Sequence, residues 1–214
     1  MEIELRDGSQ HSQSGFIPFL ARVLHKGLEL TAAPLLVRCD SAHDAWDTRI
    51  ELSSYERVDY IIKWNPRKQN LNYWANFVFS EGVVSIPCPG KRVAVMSVSE
   101  KHTYKTDEGI EKTITCRRVV RVIERTIDKK GQLLLAPDIE LEGWWTSLDL
   151  VDQKIIELYE HHGKSEQFHS ELKTDTPSLR QVRHQSAHNV VCCACLQHSS
   201  LHRATWSSGR KDAG

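Results

Sequence analysis

The sequence predicts an α/β protein with a β-rich insertion. Over residues 1–65, apolar runs of strand length alternate with stretches that have helical spacing. Over residues 66–148, short β-rich runs follow one another, separated by Gly, Pro and Asp. The order strand, helix, strand, helix, strand implies parallel strands in a layer covered by helices. A chain of 214 residues can form one substantial domain with such an insertion.

The first part of the chain is predicted to hold the first half of the α/β core. Its elements are a strand at 1–7, a helix at 16–30, a strand at 35–40, a helix at 41–54 and a strand at 58–64. The strand at 35–40 is a short apolar run that closes on Asp40. Such a run is typical of a buried central strand whose carboxyl end presents the acid.

The remaining elements follow in three segments. Residues 66–148 are expected to form strands at 83–86, 92–98, 119–123 and 132–135, and no helix, because helical periodicity is absent there. A helix is predicted from about 150 to 173, within a core segment at 149–175, with Asp149 as its N-cap. Residues 176–214 have no clear period, and we expect them to be a disordered tail.

Composition narrows the function classes. The formal net charge is zero, which gives no evidence for nucleic-acid binding and does not exclude it, since a basic face can be balanced elsewhere. No run approaches the roughly 18 apolar residues of a membrane span, so no membrane partner is expected. Six cysteines without a secretion signal predict reduced thiols in the cytosol. The crowded cysteines at 192–195 lack the spacing of a zinc site.

The last predicted helix carries the strongest chemical pattern. Tyr159, Glu166 and Lys173 lie seven residues apart on one stripe, with His162 one turn before Glu166. A carboxylate there could hold a divalent metal, while Lys173 and a cationic His162 could bind phosphate oxygens. The alternative is an ordinary solvated helix face.

Asp40 adds a second carboxylate to this pattern. An acid at the end of a strand in an α/β sheet lies at the crevice where such folds place ligands. A helix packed beside the sheet could bring Glu166 to Asp40, so that the two share Mg²⁺ as part of a two-metal site. The alternative is that Asp40 caps the helix that opens at Ser41.

These residues resemble the signature of IS4-like DDE transposases of bacterial insertion sequences. In that family a Tyr is followed by Arg, Glu and Lys at gaps of two, three and six residues, and Tyr159, Glu166 and Lys173 match it in type and spacing. The run from Glu166 to Asp175 and the strand that ends at Asp40 are also similar to the family. The resemblance covers about residues 1–175.

The resemblance implies a ribonuclease-H-like catalytic core with a β-rich insertion between its second and third acids. Asp40 would be the second acid and Glu166 the third, both binding Mg²⁺ or Mn²⁺, while Tyr159, His162 and Lys173 would contact DNA. The implied partner is double-stranded DNA, at transposon ends and target, bound by a homodimer. The implied location is the nucleoid in the bacterial cytoplasm.

Two departures from the family lower the expected activity. The family's first acid lies on a strand upstream of the one that begins this chain, so we expect a core that is incomplete at its N-terminus and inactive as this chain alone. His162 stands where the family has Arg, and imidazole lacks the fixed guanidinium fork for phosphate. A non-catalytic DNA-binding remnant and a metal-dependent nuclease of the same fold are the alternatives.

Three further residues are candidate DNA contacts. Trp145 could stack on a base, as an insertion-domain Trp does in some relatives, or could pack the sheet onto the following helix. Arg118 and Arg121, with the neighbouring arginines of one β ribbon, could follow a DNA backbone or form an ordinary charged ribbon.

The tail after Thr176 differs so much in composition that we interpret it as translated out of frame.

Overall fold

The computed structural model of the protein describes residues 13–128 and 130–161, together with the backbone of residues 197–198. These residues form a mixed α/β structure. Its elements are α1 (Phe16–Leu30), β1 (Leu35–Cys39), a 3₁₀ turn (Ser41–His43), α2 (Trp46–Ser53), β2 (Val58–Lys63), α3 (Leu71–Glu81), β3 (Val83–Cys88), β4 (Lys91–Lys105), β5 (Glu111–Ile127), β6 (Leu133–Thr146), α4 (Asp152–Glu160) and β7 (Gln197–His198). The strand predicted at residues 1–7 lies outside the described residues.

One sheet runs through the described part of the chain, with the strand order β3-β4-β5-β6-β2-β1-β7. β1 and β2 are parallel, with Leu35 opposite Val58 and Cys39 opposite Ile62. The strand–helix–strand order of residues 35–63 had predicted this pairing, and the structure confirms it. β2 then pairs antiparallel with β6 through residues 61–63 and 144–146.

Helices cover both faces of the β1–β2 pair, which explains why all five residues of β1 are buried. Val37 and its alternate neighbours pack in a large core with side chains of α1, α2 and α3. Leu36 faces the other way and packs with Ile155 and Ile156 of α4. The near-continuous apolar sequence of β1 is therefore the sequence of a strand buried on both faces.

Residues 66–148 contain a helix, and the prediction that they hold none was wrong. α3 places Trp74 and Val78, four residues apart, in the core, so one side of the helix is buried. The side chain of Asn70 accepts a hydrogen bond of 3.1 Å from the main-chain N–H of Tyr73 and so caps the helix. The polar residues between the apolar ones hid this short amphipathic pattern.

The β-rich segment is an extension of the core sheet. β4 pairs with β5 over the whole length of β4, from Lys91 opposite Arg125 to Lys105 opposite Glu111. β6 pairs with β5 and then, at its carboxyl end, with β2. Gly143 lies at this junction, where the indole of Trp64 approaches closely. The insertion therefore shares one hydrogen-bonded sheet with β1 and β2.

The end of the described chain differs in detail from prediction. α4 begins at Asp152, and its N-cap position is Val151, which has no side chain that could cap, where Asp149 had been predicted. The predicted continuation of this helix to residue 173 lies outside the described residues. From the tail, Gln197 and His198 pair with Leu36 and Leu35 as strand β7. Among the described helices, none has the length and apolarity needed to cross a membrane.

Candidate functional site

Asp40 follows the last residue of β1 and is exposed. Its Oδ1 accepts a hydrogen bond of 2.9 Å from the main-chain N–H of Ala42 and caps the 3₁₀ turn at Ser41–His43. The capping role that the sequence allowed is therefore present. A carboxylate that caps through one oxygen keeps its second oxygen for a ligand, so metal binding by Asp40 stays a prediction.

A long-range hydrogen bond joins helix α4 to β1. Arg38 is 2% exposed, and its Nη1 donates to the main-chain carbonyl of Leu158 over 2.7 Å. Arg38 lies one residue from the carboxyl end of β1, and Leu158 lies two residues from the end of α4. The carboxyl ends of β1 and α4 therefore lie close together, at the end of the sheet where Asp40 follows β1.

Tyr159 lies on the face of α4 that contacts the sheet and is half-buried. Its ring centroid is 6.2 Å from that of Trp144 on β6. The Nζ of Lys63, the last residue of β2, lies 4.2 Å from the Trp144 ring centroid and 5.8 Å from that of Tyr159. Both distances allow a cation–π attraction. Tyr159 thus packs beside a cation at the carboxyl end of a central strand.

Around Trp144 lies an acid–base cluster, formed by Lys63, Arg121, Glu142 and Glu160. The carboxylate of Glu142 accepts a hydrogen bond of 2.7 Å from Lys63 Nζ and one of 2.9 Å from Arg121 Nε. Arg121 Nη2 also donates to Glu160 over 2.8 Å. Burial opposes the charged form of Glu142, but the hydrogen bonds from Lys63 and Arg121 outweigh it and lower its pKa. The Arg121 guanidinium is therefore paired with two acids, Glu142 and Glu160.

The neighbouring Trp145 faces the opposite side of the sheet, as alternation along a strand requires. It is 2% exposed. The guanidinium carbon of Arg49 lies 4.3 Å from its ring centroid, and that of Arg118 lies 4.5 Å away. Two cations therefore contact the indole, and both distances are within the range of cation–π attraction.

This contact is the centre of a longer stack, which we call the arginine–tryptophan ladder. Arg49 also lies 4.1 Å from the Trp46 ring, and Arg118 lies 4.2 Å from the Trp64 ring. At one end the His102 ring stacks on Trp46 at 4.3 Å, with 9° between the planes. The ladder therefore runs His102, Trp46, Arg49, Trp145, Arg118, Trp64. It joins α2, β4, β5 and β6 to the residue that follows β2.

A cavity of about 620 Å³ opens beside the ladder. Its aromatic wall includes Trp46, Trp64 and Trp145. The charged side chains that line it are four cationic and two acidic ones: Arg49, Arg67, Lys68, Arg118, Asp44 and Glu100. Since Asp44 follows the 3₁₀ turn and Trp64 follows β2, the cavity lies beyond the carboxyl ends of the two parallel strands. Open α/β sheets place ligands at this end.

The two arginines of the ladder differ in their partners. Arg49 forms a 2.5 Å ion pair with Asp44, whose other oxygen accepts from the main-chain N–H of Asn65. Arg118 forms an ion pair of 3.5 Å with Glu100, an acid that is 45% exposed. Burial lowers the pKa of Arg118, and the charges of Glu100 and Asp44 oppose this only in part. In the described part of the chain, Arg118 Nε has no hydrogen-bond partner.

The structure separates the predicted DNA contacts into two sites. Tyr159 and Arg121 lie together at the acid–base cluster, whereas Trp145 and Arg118 lie together in the ladder on the other face of the sheet. The packing of the sheet onto the last helix, which the sequence allowed for Trp145, is made by Trp144. The predicted site residues His162, Glu166 and Lys173 lie outside the described residues.

The structure also shows what the arginines of the β5 ribbon contact. Arg117, Arg121 and Arg125 are spaced four residues apart on one face of β5. Arg117 pairs with Asp152 at 2.5 Å, and Arg125 pairs with Glu140 at 2.8 Å. Each of the three thus has an acidic partner, which offsets the attraction of this face for phosphate. DNA contact by Arg118 and Arg121 stays a prediction.

Sequence reasoning missed several residues of the two sites. Trp46 and Arg49 are three residues apart on α2, a spacing that brings side chains together on a helix and could have indicated their contact. Lys63 and Trp64 are the last two residues of the predicted strand at 58–64, as Asp40 is the last residue of the one at 35–40, and ligands bind at this end of such strands. That position was a usable signal for both.

The described residues were also searched for a metal centre. Among residues 13–128 and 130–161 there is no group of three or more His, Cys, Asp and Glu side chains that could hold a metal ion. Asp40 has the hard oxygen donors that Mg²⁺ prefers, but Glu166, its predicted partner, lies outside these residues. The described residues on their own therefore do not form the expected metal centre.

Comparison of the chain with protein-family models, with curated proteins and with solved structures gives no match.

Proposed function

We propose that this chain is a fragment of an IS4-like DDE transposase, with a ribonuclease-H-like core that acts on the phosphodiesters of double-stranded DNA. The observation that carries the proposal is the hydrogen bond from Arg38 to the carbonyl of Leu158. It brings the end of α4 to the carboxyl end of β1. The chain therefore leaves α4, toward Glu166, from the part of the fold where Asp40 is exposed.

The charges and contacts near Asp40 fit this chemistry. Asp40 and Glu166 would hold Mg²⁺ or Mn²⁺, and the ion would activate water or a DNA 3′-hydroxyl for attack on a phosphodiester. Tyr159 is held by Trp144 and Lys63 at the edge of this region. Its position suits a contact to a DNA phosphate, as the resemblance implies. Activity of the chain alone is expected to be low, because Asp40 and Glu166 match only the second and third of the family's three metal-binding acids.

The test is a cleavage and joining assay on a labelled duplex that carries the inverted repeats flanking the gene, with Mg²⁺ or Mn²⁺. Asp40→Asn and Glu166→Gln should each lower the metal-dependent rate at least about tenfold. Asp107→Asn is the matched control, because Asp107 is an exposed carboxylate in the β4–β5 turn. It should leave the rate unchanged.

The outcomes separate the proposal from its alternatives. Joined products that require Asp40 and Glu166 support the transposase. Hydrolysis without joining indicates a metal-dependent nuclease, and DNA binding without either reaction indicates a non-catalytic remnant. The absence of binding at low salt would contradict all three, because phosphate contacts supply much of the affinity of DNA-binding proteins. Sedimentation of the DNA complex tests the proposed homodimer, and imaging in the bacterial cell tests its association with the nucleoid.

A further inference from the structure

We propose that the cavity beside the arginine–tryptophan ladder binds a phosphate group, contacted by Arg118 within the cavity and by Lys68 at its rim. The site lies on the face of the sheet opposite α4, so it is separate from the acid–base cluster around Trp144. The inference depends on the cavity and its charges alone. The proposed phosphate site can therefore be tested independently of the transposase proposal.

The first argument is the incomplete pairing of Arg118. Arg118 is 7% exposed, so its guanidinium is buried. Burial of a cation costs free energy unless the cation is paired and hydrogen-bonded. Arg121, on the same strand, has two acids within 2.8 Å. The acid nearest to Arg118 is Glu100 at 3.5 Å, and the Nε of Arg118 has no partner among the described residues. An anion in the cavity would give the Arg118 guanidinium a second charge partner beside Glu100.

The second argument is the charge of the cavity. Arg118, Arg49, Arg67 and Lys68 face it against two acids, Asp44 and Glu100. Asp44 is already paired with Arg49 at 2.5 Å. Arg67 and Lys68 are exposed, at the rim. The cavity therefore has a cationic rim that attracts an anion from solvent, and an arginine deeper inside.

The third argument concerns the type of anion. The indole of Trp145 carries a guanidinium at 4.3 Å and another at 4.5 Å, so it offers no open face for a planar base. The charged donors that line the cavity are guanidinium and ammonium N–H groups, beside the side-chain amides of Asn65 and Gln69. A guanidinium fork matches the oxygens of phosphate. A volume of about 620 Å³ leaves room for the organic group that carries the phosphate.

Two sources could supply such a phosphate: the 5′ end of a DNA strand, or a free phosphorylated small molecule. The probes are therefore inorganic phosphate and a pair of oligonucleotides of one sequence, one with a 5′-phosphate and one with a 5′-hydroxyl. Binding is measured on the full chain at constant ionic strength, by calorimetry and by tryptophan fluorescence, since Trp64 and Trp145 line the cavity.

Arg118→Lys keeps the charge and removes the fork, so it should weaken phosphate binding about tenfold or more. Lys68→Gln should weaken it about threefold. Arg125→Lys on the same strand and Lys154→Gln on α4 are the matched controls, since neither residue lines the cavity. Neither control should change the affinity.

Preference for the 5′-phosphate oligonucleotide over its 5′-hydroxyl form, lost in Arg118→Lys, would assign the site to DNA ends. Saturable binding of inorganic phosphate without that preference would assign it to a free phosphorylated molecule. Absence of saturable binding by all probes overturns the proposal. So does binding with equal affinity in the wild type and in Lys68→Gln. Because Lys68 is exposed, that variant remains informative even if Arg118→Lys fails to fold.

Discussion

Arg38 of β1 donates a 2.7 Å hydrogen bond to the main-chain carbonyl of Leu158 in α4, across 120 residues of sequence. The carbonyl belongs to the last turn of α4, where helix carbonyls have no partner inside the helix. Arg38 therefore gives a carbonyl near the described end of the helix a side-chain donor and joins this end of α4 to β1.

Arg38→Met should lower the free energy of unfolding by about 1–3 kcal/mol, because the part-buried hydrogen bond from Arg38 to the carbonyl of Leu158 is lost. Urea denaturation at neutral pH measures the change. Arg22→Met on the exposed side of α1 is the control and should have little effect. If both variants unfold at the wild-type midpoint, the hydrogen bond does not hold α4 in place.

Glu142→Gln should make stability less dependent on pH in acid. The hydrogen bonds from Lys63 and Arg121 outweigh burial and lower the pKa of Glu142 from its usual value of 4.5. A lowered pKa contributes stability that is present above pH 4.5 and is lost as the pH falls below it. The variant should be less stable than the wild type at neutral pH, and this difference should shrink as the pH falls.

Urea titrations at several pH values between 7 and 3 measure this difference. Glu108→Gln in the β4–β5 turn is the control, because Glu108 is exposed and lies outside the acid–base cluster. A difference that stays constant over the whole range would show that Glu142 contributes by packing and not by its charge.

Ionisation of the Tyr55 hydroxyl should make the protein less stable in strong base. Burial, together with the hydrogen bond from its hydroxyl to Glu51 at 2.9 Å, raises the pKa of Tyr55 from 10.0 to about 12. A raised pKa contributes stability that is fully present below pH 10 and is lost as the pH rises through about 12. Tyr55→Phe should reduce this loss.

Absorbance of the phenolate and thermal melts between pH 9 and 12 measure the effect. Tyr73→Phe replaces an exposed ring, 59% accessible, and should leave the decline in place. A phenolate titration of Tyr55 at the usual tyrosine value would contradict the prediction.

Gly143→Ala should displace Trp64 of the ladder, although Gly143 itself is not a member of the ladder. A Cβ at this position would lie 2.7 Å from Cε3 of Trp64 and 3.1 Å from the carbonyl oxygen of Val119. Overpacking of this kind costs about 1–3 kcal/mol. We expect lower stability and a changed near-ultraviolet circular dichroism, since Trp64 must move.

Trp64→Phe provides the control for this prediction. The phenyl ring is smaller than the indole, so Gly143→Ala should cost less in that background than in the wild type. Equal costs in the two backgrounds would show that Trp64 does not limit the space at Gly143.

α1, β1 and β2 were predicted well because their signals are local. The helix predicted at 41–54 is divided into the 3₁₀ turn at Ser41–His43 and α2 at Trp46–Ser53. The bounds of α1 were predicted as the structure has them, from Phe16 to Leu30, because one face of the helix is apolar throughout. β1 and β2 were predicted from short apolar runs, and their parallel pairing from the order of elements. Each of these signals lies within one element or between two successive ones.

The ladder could not be predicted in this way. Its members come from four elements and from the residue after β2, and the contact of Trp46 with Trp145 joins residues far apart in sequence. Spacing within one element shows which face a residue occupies, but not which distant residue lies opposite. The sequence therefore indicated Trp145 and Arg118 as candidates, whereas the structure shows that they contact each other.

The pairing of β2 with β6 also determines when the protein can fold during synthesis. Residues 61–63 of β2 must wait for residues 144–146 to leave the ribosome before this edge of the sheet can close. The β4–β5 hairpin, by contrast, joins strands that meet across the short turn between Lys105 and Glu111, so it can form first. We therefore expect a nascent chain that stops before residue 144 to hold an ordered ribbon while protease still cleaves residues 35–63, and pulse proteolysis of stalled chains would measure this.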